Sequence, residues 1–155
     1  MSDKLKSYTL VSIQMISLIL IFISGSPTAK YSLWLIMEVA GIVLGVWAFI
    51  TMGWRNMNIS PMVKEGARLV TKGPYRLIRH PMYLALLLII WPLIIDQYSA
   101  FRLIAAIILT ANLVVKMFYE EHLLRKHFAG YELYMRTTYR LIPFVLYTSL
   151  LLATD

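Results

Sequence analysis

Two arginines, a histidine and two tyrosines crowd into Gly73-Pro74-Tyr75-Arg76-Leu77-Ile78-Arg79-His80-Pro81-Met82-Tyr83, directly before an apolar run. A second polar group, Glu120-Glu121-His122, closes the next long apolar stretch. Guanidinium forks hold carboxylates and phosphates, carboxylates hold ammonium groups or a sugar diol, and His or Glu can move a proton. Taken alone, each cluster reads as an interfacial anchor with a solvated ion-pair face. Convergence changes that reading. If Met82 to Tyr119 is a helical hairpin that leaves the membrane surface beside Pro81 and returns at Glu120, then Arg76, Arg79, His80 and Tyr83 meet Glu120, Glu121 and His122. Basic and acidic groups distant in sequence would then face one ligand.

The elements that must position these groups lie in a membrane. Of 155 residues 59% are hydrophobic and only 15% charged, too apolar for a soluble domain of this size. Four or five spans of about 20 residues would use roughly 80–100 residues, leaving only two segments for chemistry. The expected fold is therefore an all-α integral membrane protein, a bundle of four to five transmembrane helices including the hairpin. The net charge of +7 suits an anionic lipid surface better than nucleic acid. With no cysteine, thiolate nucleophiles, disulfides and zinc-thiolate sites are excluded, and no metal site is expected.

Along the chain, Tyr8 to Ser24 is the first span, an uncleaved helix stopped by Gly25-Ser26-Pro27. Tyr31 to Met52 is the second. It carries Gly41 and Gly45 at the spacing that lets another helix approach its backbone, and Glu38, whose charge must face protein or water. Glu38 is expected to be structural, pairing inside the bundle with Arg102. Gly53 to Pro81 is polar, with Arg55 and Arg68 expected as membrane anchors. Met82 to Ile95 is short for a hydrocarbon core of about 30 Å, and Trp91-Pro92 predicts a kink. Ser99 to Tyr119 returns and continues as helix through Phe128, supported by Glu121 and Arg125 at i, i+4. Leu141 to Ala153 is a final apolar run. Lysines 4 and 6 and both polar segments share one side against Lys30 and Asp96, which places the chemical face in the cytoplasm.

The stretch GPYRLIRHPMYLA resembles the G-x-Y-x-x-x-R-H-P-x-Y signature of the isoprenylcysteine carboxyl methyltransferase family and of related phospholipid methyltransferase-like membrane enzymes. The likeness covers about residues 67–144 and includes Tyr131, Tyr134 and Pro143. It departs at Ala85, where the family usually has glycine, and at Phe128-Ala129-Gly130-Tyr131, one residue shorter than the family's spacing. The resemblance implies one transmembrane methyltransferase domain over residues 1–155, using S-adenosylmethionine on the cytoplasmic side. It implies Gly73, Tyr75, His80, Pro81, Tyr83, Glu120, Glu121 and Tyr131 as cofactor-binding residues. The reaction centre it implies is Arg79, His80, Glu120 and Arg140. The acceptor would be a lipophilic small molecule or membrane lipid, either an isoprenylcysteine-like carboxylate or a lipid headgroup. An ammonium, a carboxylate, a ribose and a sulfonium in one cofactor account for the mixed charges, and without G-x-G-x-x-G or a βαβ pattern the pocket must be built from helix ends and loops. Two alternatives stay open: an NADPH-dependent lipid or sterol reductase, which shares a similar R-H-P-x-Y stretch, and a non-catalytic lipid-binding protein.

Overall fold

In hydrocarbon a backbone must satisfy its own N–H and C=O groups, so the apolar runs can only be helices here. A computed structural model of the protein describes residues 3–56 and 66–142. Among them are five α-helices: α1 (Asp3–Ile23), α2 (Ser32–Asn56), α3 (Pro81–Asp96), α4 (Ala100–His127) and α5 (Tyr131–Thr137). A 3-10 turn spans Gly73–Arg76. Helices α1, α2 and α4 are long and apolar enough to cross a membrane. At 16 residues, α3 is about 24 Å long, and it runs through Pro92 to Asp96 as one helix. Among the described residues, the expected four to five spans are represented by three of full length and the shorter α3. The Leu141–Ala153 run lies outside the described residues beyond Ile142, as do Pro143 and the Arg55 side chain.

The bundle is two antiparallel pairs. On α4, the Asn112 side-chain amide donates to the Leu10 carbonyl at 3.0 Å and the Tyr119 hydroxyl to that of Asp3 at 3.4 Å, which fixes α1 alongside. Helix α2 lies on α3 through Gly41 and Gly45: a Cβ built on Gly41 would stand 2.9 Å from the Ala85 carbonyl and 2.9 Å from Ile89. The close backbone approach therefore comes from α2's glycines, with Ala85 as the surface they meet. The pairs join through Ile90, Leu93 and Ile94 of α3 against Ala105, Ala106 and Leu109 of α4, a core closed by Ile21. Outward residues such as Ile36, Ile50, Ile104 and Val115 stay more than half exposed, as lipid-facing positions do.

At the end away from Pro81, Asp96 accepts the Lys30 and Tyr31 N–H groups at 2.7 and 3.1 Å, capping α2. Glu38 is buried and attracts Arg102 electrostatically, as expected, but the hydrogen bonds of both side chains go to backbone groups. The Glu38 carboxylate accepts the Ala29 N–H at 3.1 and 3.2 Å, whereas Arg102 donates to the Ser26 and Gln97 carbonyls at 3.3 and 3.4 Å. The connection after α1 supplies backbone groups to both side chains, the Ala29 N–H to Glu38 and the Ser26 carbonyl to Arg102.

Candidate active site

The signature stretch is held by backbone, not only by side chains. Gly73 has φ +56°, and a Cβ there would meet the Thr51 hydroxyl of α2 at 2.8 Å, so glycine is required by conformation and by space. From the Gly73–Arg76 turn the chain extends and pairs with the segment after α5. Arg79 N–H donates to Tyr139 C=O at 2.8 Å, His80 N–H to Arg140 C=O at 3.2 Å, and Tyr139 N–H to Leu77 C=O at 2.9 Å. Pro81 then opens α3, where a missing N–H costs nothing. This parallel bridge sets Arg79 and Arg140 side by side.

Both arginines converge on Glu121, which is almost fully buried. Arg79 Nε donates to Glu121 Oε1 at 2.9 Å, Arg140 Nη2 to Oε2 at 2.8 Å, and Arg140 Nε to both oxygens at 3.2 and 3.1 Å. The Arg140 guanidinium also lies 4.4 Å over the Phe118 ring. Arg79 Nη1 donates to the Met135 carbonyl at 3.0 Å and to that of Thr138, covering the open carbonyls at the end of α5. Its Nη2 is buried with no protein partner.

In front of this layer lies a cavity of about 550 Å³, within the usual range for small-molecule sites. Its polar end holds Tyr75, His80, Tyr83, Glu120, Tyr131 and Tyr134; its other end runs between α2 and α3 along Gly41, Gly45 and Leu86. The Tyr83 hydroxyl donates to Glu120 Oε1 at 2.5 Å. The His80 ring lies parallel to the Tyr83 ring with centroids 5.3 Å apart. Its Nε2 is 3.3 Å from Glu121 Oε1 and its Nδ1 3.7 Å from Glu120 Oε2, so the imidazole bridges the two carboxylates. Burial pushes the phenols of Tyr75, Tyr131 and Tyr134 above their ordinary range, which keeps them protonated donors. Tyr134 uses its proton on the Tyr75 carbonyl at 2.6 Å, while the Tyr75 hydroxyl is buried without a protein partner.

Of the residues read from the sequence, Tyr75, Arg79, His80, Pro81, Tyr83, Glu120 and Tyr131 line the cavity. Glu121 and Arg140 stand in the layer behind it, and Gly73 is exposed against α2. Arg76 and His122 are exposed and are not among the residues that line the cavity. Arg68, expected as an anchor, contributes to the cavity rim, and its N–H donates to Asn56 Oδ1 at 2.9 Å. Sequence reasoning missed Lys116, a buried wall residue whose Nζ donates to Gln14 Oε1 at 2.8 Å. Its signal was there to be read: a lysine one helical turn before Glu120, inside an apolar run.

A family model described as phospholipid methyltransferase matches residues 29–130, more than half the chain. No curated protein and no solved structure gives a match. The matched span takes in α2, the signature stretch, α3 and α4, and so both sides of the cavity.

Proposed function

The chain belongs to the phospholipid methyltransferase family, and from that premise we propose that it moves a methyl group from S-adenosylmethionine to a lipophilic acceptor at the cytoplasmic face of a membrane. One observation carries the reading: a single cavity joins a polar end, with one carboxylate and buried donors, to an apolar cleft between two helices. The residues present fit the cofactor. Glu120 would hold the ammonium, and Tyr75 Oη and Arg79 Nη2, both buried and unpartnered by protein, would hold the carboxylate. His80, Pro81, Tyr83 and Tyr131 would form the walls. When bound, the cofactor supplies an electrophilic methyl on a sulfonium.

The chain's own residues then orient the partners and exclude water. Glu121 fixes Arg79, Arg140 and His80 in one rigid layer, so Arg140 acts as a positioning residue. A carboxylate acceptor, of the isoprenylcysteine kind, is already a nucleophile and needs only placing. An amine headgroup must lose a proton, and Glu120 and His80 stand at the polar end where one can be received. Lys4 and Lys6, which open the α1 end paired with Tyr119, and Lys72, Arg76, Arg125 and Lys126 lie on the side of the site, against Lys30 at the opposite end; this supports a cytoplasmic site.

The test is calorimetric titration of the detergent-solubilised protein with S-adenosylhomocysteine and, separately, with NADPH, followed by transfer of tritiated methyl into a total lipid extract. Binding of the first with labelled lipid is the expected result. Binding of NADPH alone would replace methyl transfer with reduction.

A further inference from the structure

One cation at the mouth of the cavity has no part in the chemistry above. Arg68 lines the cavity and is exposed. Its backbone is fixed in place. Helix α2 breaks at Gly53, φ +72°, and beyond the break the Asn56 side chain donates to the Met52 carbonyl at 3.2 Å and accepts the Arg68 N–H at 2.9 Å. Ala67, Leu69 and Val70, on either side of Arg68, are half-buried wall residues of the same cavity. The other charged groups that line it are engaged: Arg79 by Glu121, Glu120 by the Tyr83 hydroxyl and His80, and Lys116 by Gln14 and the attraction of Glu120. Among the described residues no hydrogen bond or ion pair engages the Arg68 guanidinium.

The depth of this cation decides what it can meet. The membrane-crossing part of α2 ends at Trp54. Asn56, and Arg68 pinned to it, therefore stand at the level of lipid headgroups, where phosphate and carboxylate oxygens concentrate. Below them the α2 wall of the cavity runs from Gly41 to Met52, about 16 Å of helix. Ile42 and Val46 on that wall are each 53% exposed, apolar surface that a hydrocarbon chain can cover. A groove that is apolar at membrane depth and ends in an unpaired guanidinium at the surface fits a lipid with an oxyanion in its head, because the planar fork takes two oxygens at once. We propose that Arg68 is a specificity-determining residue that holds an oxyanion of the lipid acceptor at the cavity mouth. The hydrocarbon would lie along Gly41, Gly45 and Val46. The subsite rests on the methyltransferase reading only in naming the bound lipid as acceptor. The oxyanion is a carboxylate or a phosphodiester, and a guanidinium at this place selects for either over a neutral head.

Two matched pairs of probes separate the sources: S-farnesylcysteine against its methyl ester, and dihexanoyl phosphatidylethanolamine against dihexanoylglycerol, each titrated into the protein in neutral detergent. In the wild-type protein the carboxylate- or phosphate-bearing member of one pair or both should bind about tenfold tighter, the scale of one charge-assisted hydrogen bond. The pair that shows it names the source. Arg68→Met should abolish that preference, and Arg68→Lys, which keeps the charge but loses the fork, should retain part of it. S-adenosylhomocysteine affinity should be unchanged in both variants, since the cofactor is placed on other groups. A preference surviving Arg68→Met, or absent from both pairs in the wild type, overturns the subsite. So does a loss of S-adenosylhomocysteine affinity in an Arg68→Met protein that melts with the wild type, which would assign Arg68 to the cofactor instead. If Arg68→Met melts below the wild type, Arg68→Gln takes its place in each comparison. If the wild type binds no S-adenosylhomocysteine yet shows an Arg68-dependent preference, the subsite stands and the methyltransferase reading falls.

Discussion

Glu121→Gln separates support from chemistry in this site. The substitution keeps the shape of the side chain and removes one negative charge from between two buried guanidinium groups. The Gln oxygen can still accept from Arg79 or His80, but its NH2 would then oppose Arg140, whose Nε and Nη2 lie 3.1 and 2.8 Å from Oε2. With side-chain exposures of 1% for Arg79, 7% for Arg140 and 2% for Glu121, water cannot replace what is lost. Breaking a buried pair from one side costs about 3–5 kcal/mol. For a chain of this length about 1 kcal/mol corresponds to a melting shift of roughly 2–4 °C, so a fall of about 6–20 °C is expected. The assay is thermal unfolding in neutral detergent, followed by intrinsic tryptophan fluorescence. Arg79 and Arg140 also carry the bridge that joins the signature stretch to the segment after α5, so cofactor binding should fail with the fold and not before it. A Glu121→Gln protein that melts with the wild type but no longer binds S-adenosylhomocysteine would refute this division of labour and make Glu121 a direct ligand.

Glu120→Gln should behave in the opposite way, because its carboxylate is 20% exposed at the cavity: little change in melting, and S-adenosylhomocysteine binding weakened at least about tenfold. Arg79→Lys keeps the charge but cannot reach Glu121 and the Met135 and Thr138 carbonyls together, so turnover should fall about a hundredfold by misplacement of the layer; near-normal turnover would show that charge alone suffices. Gly41→Ala should lower stability by about 1–3 kcal/mol, since the new methyl meets a backbone carbonyl, whereas Gly45→Ala meets only the Ala85 methyl at 3.4 Å and should be tolerated; equal melting points would deny the close α2–α3 contact. Glu38→Gln weakens the acceptor of the Ala29 N–H and should cost about 1 kcal/mol in thermal unfolding while leaving methyl transfer in place, an outcome that an inactive but fully stable variant would contradict.

The spans were legible because hydrocarbon leaves so little choice. Long apolar runs ended by Gly25-Ser26-Pro27 and by Asp96-Gln97 have to be helices, and the Glu121–Arg125 spacing correctly carried α4 past the last apolar residue. What escaped was decided by backbone geometry. Nothing in Ile78 or Tyr139 announces that the two will form a parallel bridge, because the segments are far apart in sequence and neither has an alternating pattern. Glu38 and Arg102 were matched by depth alone. Depth brings the two charges within reach of one another, but it cannot foresee that the chain after α1 offers its own N–H and C=O groups to each of them.

The doubled acid shows most plainly where reading stops. Adjacent helical residues point about 100° apart, so the sequence requires Glu120 and Glu121 to play different parts but does not say which faces the ligand. That choice is made by the segment after α5. By pairing with Leu77 to His80 it delivers Arg140 beside Arg79, one guanidinium to each carboxylate oxygen, so the residue at position 121 is enclosed by cations. Its neighbour is left at the edge of the cavity with a tyrosine hydroxyl and an imidazole. The same rotation places Lys116, four residues before Glu120, on the cavity side of α4 as well. One face of one helix therefore presents a carboxylate at the polar end and an ammonium deeper in.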